Sequence, residues 1–155
     1  MKKTNAVRIL ENNGIPFELF GYEFSEDEID AISVAKKINA PSETVFKTLV
    51  TRGDKTGIIV FVIPGNAELN LKKAATVSGN KKIEMIKTKD LLPVTGYIRG
   101  GCSPIGMTKK YPTYIEETSQ LFDNIYVSAG VKGTQMKLSP INLAKITESE
   151  FADLI

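Results

Sequence analysis

The sequence contains no histidine, and in 155 residues it has one cysteine, Cys102. The first absence excludes Ser-His-Asp and Cys-His catalysis and any metal site built on imidazole. The second excludes an intrachain disulfide framework and a thiolate-rich metal cluster. Any proton chemistry must then come from lysine, carboxylate, tyrosine, water or the substrate itself. No apolar run approaches the roughly 20 residues that span a bilayer. The opening stretch, MKKTNAVRILENNG, is charged and then amphipathic, unlike a secretory leader. The expected setting is the cytosol, without a membrane.

Charge of one sign is also scarce. Net charge is +2, with 20 Lys+Arg against 18 Asp+Glu, a balance that by itself identifies no nucleic-acid binder. The distribution is less even. Lys72, Lys73, Lys81, Lys82, Lys87, Lys89, Lys109 and Lys110 crowd the middle third, and Glu26, Asp27, Glu28 and Asp30 form an early acidic loop. A basic middle suits a phosphate backbone, and equally suits solvated helix faces. With 42% hydrophobic and 25% charged residues, the composition is that of an ordinary globular domain. The length allows one domain, residues 1–155, with a substantial core.

Thr4 is expected to cap a helix reaching Asn13, stopped by Gly14. A strand is expected over 15–24, a helix over 29–38, a short turn over 42–45, and strands over FKTLVTR and GIIVFVIPG, the latter central. Asn70 and Gly79 bracket a helix. KKIEMI reads as a strand, and Thr88 as the cap of KDLLPVTG. YIRGGCSPIG reads as a strand entering a glycine-rich loop, and PTYIEE, NIYVSAG and TQMKLS as strands. Ser139 and Pro140 open a helix. Thr147 and Glu150 suggest a capping box for a last helix, ESEFADLI. Several connections are too short for parallel crossovers, so antiparallel pairs are expected. The class is α+β, with a mixed, barrel-like sheet surrounded by helices.

Three stretches have residues suited to chemistry. RGGCSPIG (Arg99 to Gly106) can present main-chain N–H donors to an oxygen, or can simply be a tight loop. YVSAGVKGTQMKL (Tyr126 to Leu138) offers Ser128 at a strand end, or an ordinary hairpin. Lys47, at the base of an apolar strand, can be a snorkelling edge residue, an anion-binding point charge, or a base if burial lowers its pKa. Cys102, with no histidine to activate it, reads as a small apolar filler.

Taken in order, VFKTLV, NLKKAATVSGNKKIEM, TGYIRGGCSPIG, IYVSAGVKG and NLAKI resemble the YbaK family of aminoacyl-tRNA deacylases. These are free-standing relatives of the editing domain inserted in bacterial prolyl-tRNA synthetases. The resemblance runs from ILENNGIPFEL to FADLI, and YVSAG followed by GTQMKLSP is similar to the EbsC-like branch. It implies trans-editing: removal of a mischarged amino acid, typically cysteine, from proline tRNA.

Carried onto this chain, the resemblance makes Lys47, Gly101 and Ser128 the expected catalytic residues. Tyr22, Gly100, Ser103, Pro104, Gly106, Gly130 and Gln135 are the expected substrate-binding residues. Gln135 stands where the type branch has an aspartate, and an amide cannot take a proton as a carboxylate does. No cofactor and no metal are implied. The implied partners are an aminoacyl-tRNA acceptor end and prolyl-tRNA synthetase, with the chain a monomer. Lys47 is expected to reach the ester region as a positive charge, and the Gly100 to Ser103 amides to stabilise the oxyanion. The implied nucleophile is the cysteine substrate's own thiolate; a bound water is the alternative. Two other readings stay open: a catalytically silent aminoacyl-tRNA or nucleotide-binding module, and a regulatory protein.

Overall fold

A computed structural model describes residues 3–25, 27 and 30–155. The first helix, α1 (Asn5–Asn12), starts where the Thr4 hydroxyl accepts the Val7 N–H and buries Ala6, Val7 and Leu10. Strand β1 (Glu18–Gly21) is shorter than the expected 15–24, because its ladder with a later strand holds only these four residues. Helix α2 (Ala31–Lys37) is capped by the Asp30 carboxylate. The expected start at Ile29 lies outside the described residues.

Strands β2 (Phe46–Gly53) and β3 (Gly57–Pro64) form a full-length antiparallel hairpin. Helix α3 (Leu71–Ser78) runs from an Asn70 cap to Gly79 in the left-handed conformation. Strand β4 (Ile83–Met85) and helix α4 (Thr88–Thr95) follow. Thr88 is the first residue of α4; the cap position belongs to Lys87, which makes no side-chain bond there. Strands β5 (Thr113–Glu116), β6 (Ile125–Ser128) and β7 (Thr134–Leu138) come next. Helix α5 (Pro140–Thr147) opens at Ser139 as expected, and the described chain closes with β8 (Glu150–Ala152).

Two expected elements do not form. No strand forms at Tyr97–Arg99: the Thr95 hydroxyl takes the Tyr97 N–H at 3.0 Å, and Gly101 N–H turns back to the Ile98 carbonyl at 3.0 Å. Residues there are coiled before any partner strand is reached. The final helix is also wrong. Thr147 bonds back to the Leu143 carbonyl, Glu148 is left-handed, and Phe151 pairs beside Ile115 in a parallel ladder. Phe151 packs onto the apolar core there, and this tertiary pairing outweighs the local capping signal.

The strands make two sheets rather than a closed barrel. One has the order β4-β2-β3-β5-β8, with β3 central as its unbroken apolar run predicts, and the other has the order β1-β7-β6. Among the described residues, one bridge, between Val45 and Tyr126, joins them. Between them lies the main core of Val62, Ile115, Ile125, Val127, Met136 and Leu143, capped by α1. On the other face of the larger sheet, Ile59, Phe61 and Ile63 pack against Ala74 and Ala75 of α3. Glu116, 1% exposed, ties the C-terminus down by accepting the N–H groups of Leu154 and Thr118. Among the described residues, no helix is long and apolar enough to cross a membrane.

Candidate functional site

Strand β4 pairs with β2 only from Thr51 to Gly53. Over Lys47–Leu49 the edge of β2 opposite β3 is hydrogen-bonded to no strand among the described residues, and β6 approaches it only from the Val45–Tyr126 bridge. A cavity of about 320 Å³ opens along this bare edge. Its opposite wall is the smaller sheet. Val127 and Met136 of that sheet face the core, so their neighbours Ser128 and Gln135, paired across β6 and β7, face the other way, into the cavity. Asp30, Ala31 and Val34 of the α2 region roof it, and Arg99, Gly100 and Cys102 close one end.

Lys47 turns into this cavity, and its ammonium donates to the Gly65 carbonyl at 3.3 Å. Burial pulls its pKa below the ordinary lysine value, partly opposed by the negative charge of Glu68. Gly65 itself admits no side chain: a Cβ there would sit 2.0 Å from the Ala31 Cβ. The backbone thus reaches both α2 and the lysine. Asp30 is held below the usual carboxylate range, chiefly by the Ser33 N–H it caps, which makes it a weak base.

Tyr22, Gly100, Ser128 and Gln135 join Lys47 around the cavity, whereas Gly101, Ser103, Pro104, Gly106 and Gly130 do not line it. Gly101 packs against the main chain of Val131 and Lys132. Ser103 is fully buried, its hydroxyl accepting the Ile105 N–H. Pro104 and Gly106 border a separate cavity of about 190 Å³ beside Ile9 and Tyr111. Gly130, at φ +103°, lies against the Tyr97 ring and donates its N–H to the Ser128 hydroxyl. Tyr97 in turn donates to the Ile105 carbonyl at 2.5 Å. The glycine loop and the β6–β7 hairpin are therefore braced through one tyrosine.

Cys102 lines the cavity, but burial pushes its thiol up to about 12, so almost none is thiolate at neutral pH. Thr48, Leu49, Gly65, Arg99 and the α2 residues also line the cavity, and sequence reasoning missed them. Thr48 alone had a usable signal, as the neighbour of Lys47 on a strand.

Residues 26–146 match the aminoacyl-tRNA editing domain. The chain belongs to the aminoacyl-tRNA editing family. EbsC of Enterococcus faecalis, named as a candidate Cys-tRNA(Pro)/Cys-tRNA(Cys) deacylase, is 50% identical over 99% of this chain and 93% of its own length. A stretch amounting to 13% of the proline–tRNA ligase of Thermosipho africanus is 30% identical to 49% of this chain. A crystal structure of a candidate trans-editing enzyme for prolyl tRNA synthetase superposes with a TM-score of 0.85. It is 23% identical and matches over 99% of this chain and 98% of the other, a likeness of fold.

Proposed function

We propose that the chain is a trans-editing deacylase that strips a mischarged amino acid, cysteine above all, from proline tRNA. The observation that carries this is the lysine ammonium against the Gly65 carbonyl in a small cavity that Tyr22, Gly100, Ser128 and Gln135 also line, in a chain of the editing family. The cavity suits one small side chain, and an ammonium suits the oxygen-rich ribose-phosphate end of an acceptor stem. The name of the Enterococcus relative points to the same substrate. Prolyl-tRNA synthetase is the proposed working partner, because proline–tRNA ligases contain stretches similar to this chain.

The cavity offers no strong nucleophile of its own. The Cys102 thiol is held up to about 12, and Asp30 is committed to its helix cap. The proposed nucleophile is the substrate's thiolate, as the family resemblance implies, with a bound water the alternative; the thiolate is accessible near neutral pH because a free cysteine thiol has a pKa of about 8.5. Its sulfur attacks the ester carbonyl carbon. The carbon–oxygen bond to the ribose breaks, the released alkoxide takes a proton from water, and the amino acid leaves as a cyclic thioester that water later opens. The enzyme supplies positioning, an effect worth up to roughly 7–11 kcal/mol in intramolecular models, and donors for the oxyanion. The Gly100 and Cys102 amides are the proposed donors, because both border the cavity while the Gly101 amide is taken by Ile98.

The test is a deacylation time course on Cys-, Ser-, Ala- and Pro-tRNA(Pro). Cys-tRNA(Pro) should be cleaved fastest and the serine ester slowly, since a hydroxyl ionises far less readily than a thiol. Equal rates for cysteine and serine esters would exclude the thiolate route, and cleavage of none would exclude the deacylase.

A further inference from the structure

The cations of the middle third take a definite place in the fold. Between Arg52 and Lys110 the chain has eleven Lys+Arg against four Asp+Glu, and outside that span nine against fourteen. Much of the excess gathers on one edge of the larger sheet, where β4 is the outermost strand. Lys81 and Lys82 lead into β4, and Lys87 and Lys89 follow it into the first turn of α4. Arg52 stands opposite Glu84 in the ladder. The Asn80 side chain, next to Lys81, accepts the Lys55 N–H from the β2–β3 turn. All six cations are exposed.

The nearby acids are already engaged. Glu84 pairs with Lys82 at 3.0 Å, and one Asp54 oxygen accepts the Lys81 and Lys82 N–H groups. Lys73 and Lys110, elsewhere in the basic third, have partners of their own in Asp153 and Glu148. Among the described residues, Arg52, Lys81, Lys87 and Lys89 form no ion pair. Like charges gathered on one face repel, a cost that a bound polyanion removes. Lysine on an edge strand also discourages pairing with another sheet. That role does not extend to Lys87 and Lys89, which lie beyond the strand.

The row points toward the cavity. Strand β4 runs antiparallel to β2, with Ile83 opposite Gly53 and Met85 opposite Thr51, and the Ile86 N–H continues to the Val50 carbonyl. Each step from Lys82 to Lys87 therefore approaches the bare stretch of β2. At the rise of a strand the row is about 16 Å long, enough for several phosphates of one nucleic-acid strand. Past α4 the chain reaches Arg99, at one end of the cavity. The α2 side has the other sign: the segment from Tyr22 to Thr44 has six carboxylates and two lysines. A phosphate backbone leaving the cavity is repelled on the α2 side and drawn along β4.

We propose that Lys81, Lys87 and Lys89 form a binding track for the phosphate backbone of the RNA stem behind the aminoacyl end. This rests on the deacylase reading and adds where the carrier is held. Phosphate contacts position a nucleic acid without reading its bases. The track therefore grips RNA stems of any sequence, and the choice of amino acid stays with the cavity.

The experiment titrates 5′-labelled, deacylated tRNA(Pro) with the full chain by fluorescence anisotropy, from about 0.05 to about 0.2 M salt. Log affinity should fall linearly with log salt. Lys87→Ala combined with Lys89→Ala should make that slope shallower by roughly 1.4 to 1.8, the share of two phosphate contacts, and weaken binding most at the lowest salt. Lys87→Arg with Lys89→Arg should keep the wild-type slope, and so should Lys145→Ala on α5. The alanine pair should melt no lower than wild type, since removing cations from the first turn of a helix relieves the helix dipole. On Cys-tRNA(Pro) it should raise KM and leave kcat within about twofold. Cleavage of a cysteinyl adenosine ester, which has no stem, should not change. A wild-type slope in the alanine pair overturns the track, and so does an equal loss in Lys145→Ala or a loss found instead in Lys36→Ala on α2. If wild type cleaves no ester, the deacylase reading falls alone, and the salt slopes still decide the track.

Discussion

Replacing Lys47 by methionine removes the ammonium and keeps an unbranched stem of similar reach. Two effects on stability oppose each other. The bond to the Gly65 carbonyl is lost, a long one at 3.3 Å, worth at most about 0.5–1.5 kcal/mol. The cost of holding a half-buried charge is also lost. Burial lowers the Lys47 pKa, so the native state binds protons less readily than the unfolded chain. Stability then rises with pH through that range. The penalty is fully present at neutral pH and fades between the depressed folded pKa and the ordinary lysine value. The net change at pH 7 should stay within about 1 kcal/mol, which for a chain of this size moves Tm by no more than about 4 °C. As pH is raised toward 10, wild type should gain on the variant. Activity behaves differently. An ammonium contacting an anionic or ester oxygen contributes roughly 1.5–3 kcal/mol, so kcat/KM on Cys-tRNA(Pro) should fall about 10- to 150-fold. Circular-dichroism melts and a deacylation time course measure the two quantities. Wild-type kcat/KM in a variant that melts normally refutes the assignment of Lys47.

Three further outcomes follow from the geometry. Cys102→Ala should keep at least half of the wild-type rate, and native Cys102 should resist iodoacetamide at pH 7.5, because its thiol is held up to about 12; rapid alkylation with loss of activity would restore it as a nucleophile. Gly65→Ala drives a methyl to within 2.0 Å of Ala31, so α2 must shift at about 1–3 kcal/mol, with Tm and deacylation falling together; an unchanged melt would show the contact to be soft. Glu116→Leu leaves the N–H groups of Leu154 and Thr118 without acceptors, each loss costing about 1–3 kcal/mol, and a Tm drop of less than about 2 °C would mean the C-terminal anchor is dispensable.

What could be read in advance divides by the range of the interaction that decides it. The caps at Thr4, Asn70 and Ser139 form as expected because each is settled within three residues. The central place of β3 was legible because only a strand covered on both faces tolerates GIIVFVIPG. The final strand was not, since Thr147 and Glu150 imitate a helix start and only the partner β5, over thirty residues away, decides otherwise. The Tyr97 segment failed for the opposite reason: one hydroxyl, that of Thr95, redirects a stretch with good strand composition. In the site, Lys47 and Ser128 were singled out by their strand positions and Gln135 through motif resemblance, but Thr48, Gly65 and Arg99 become neighbours only when α2, the β2 edge and the glycine loop meet. No spacing along the chain encodes that meeting.

The cavity exists because strand pairing stops early. A bare strand edge normally invites another strand and is covered or charged in native proteins. Here β4 protects β2 only beyond Val50, and the Val45–Tyr126 bridge fastens its other end. Between these two closures, Phe46 to Val50 are held extended by β3 with no ladder on the other edge among the described residues. Alternation along them has a chemical consequence, since consecutive side chains leave on opposite faces. One register sends Lys47 to the face of Ile63 and Thr48 to the face of Val62. A slip of one residue would exchange them, putting a cation against the main core and a hydroxyl under Gly65. The eight-pair hairpin with β3 prevents that slip. The same ladder that builds the core therefore sets which face of β2 carries the Lys47 ammonium and which carries the Thr48 hydroxyl.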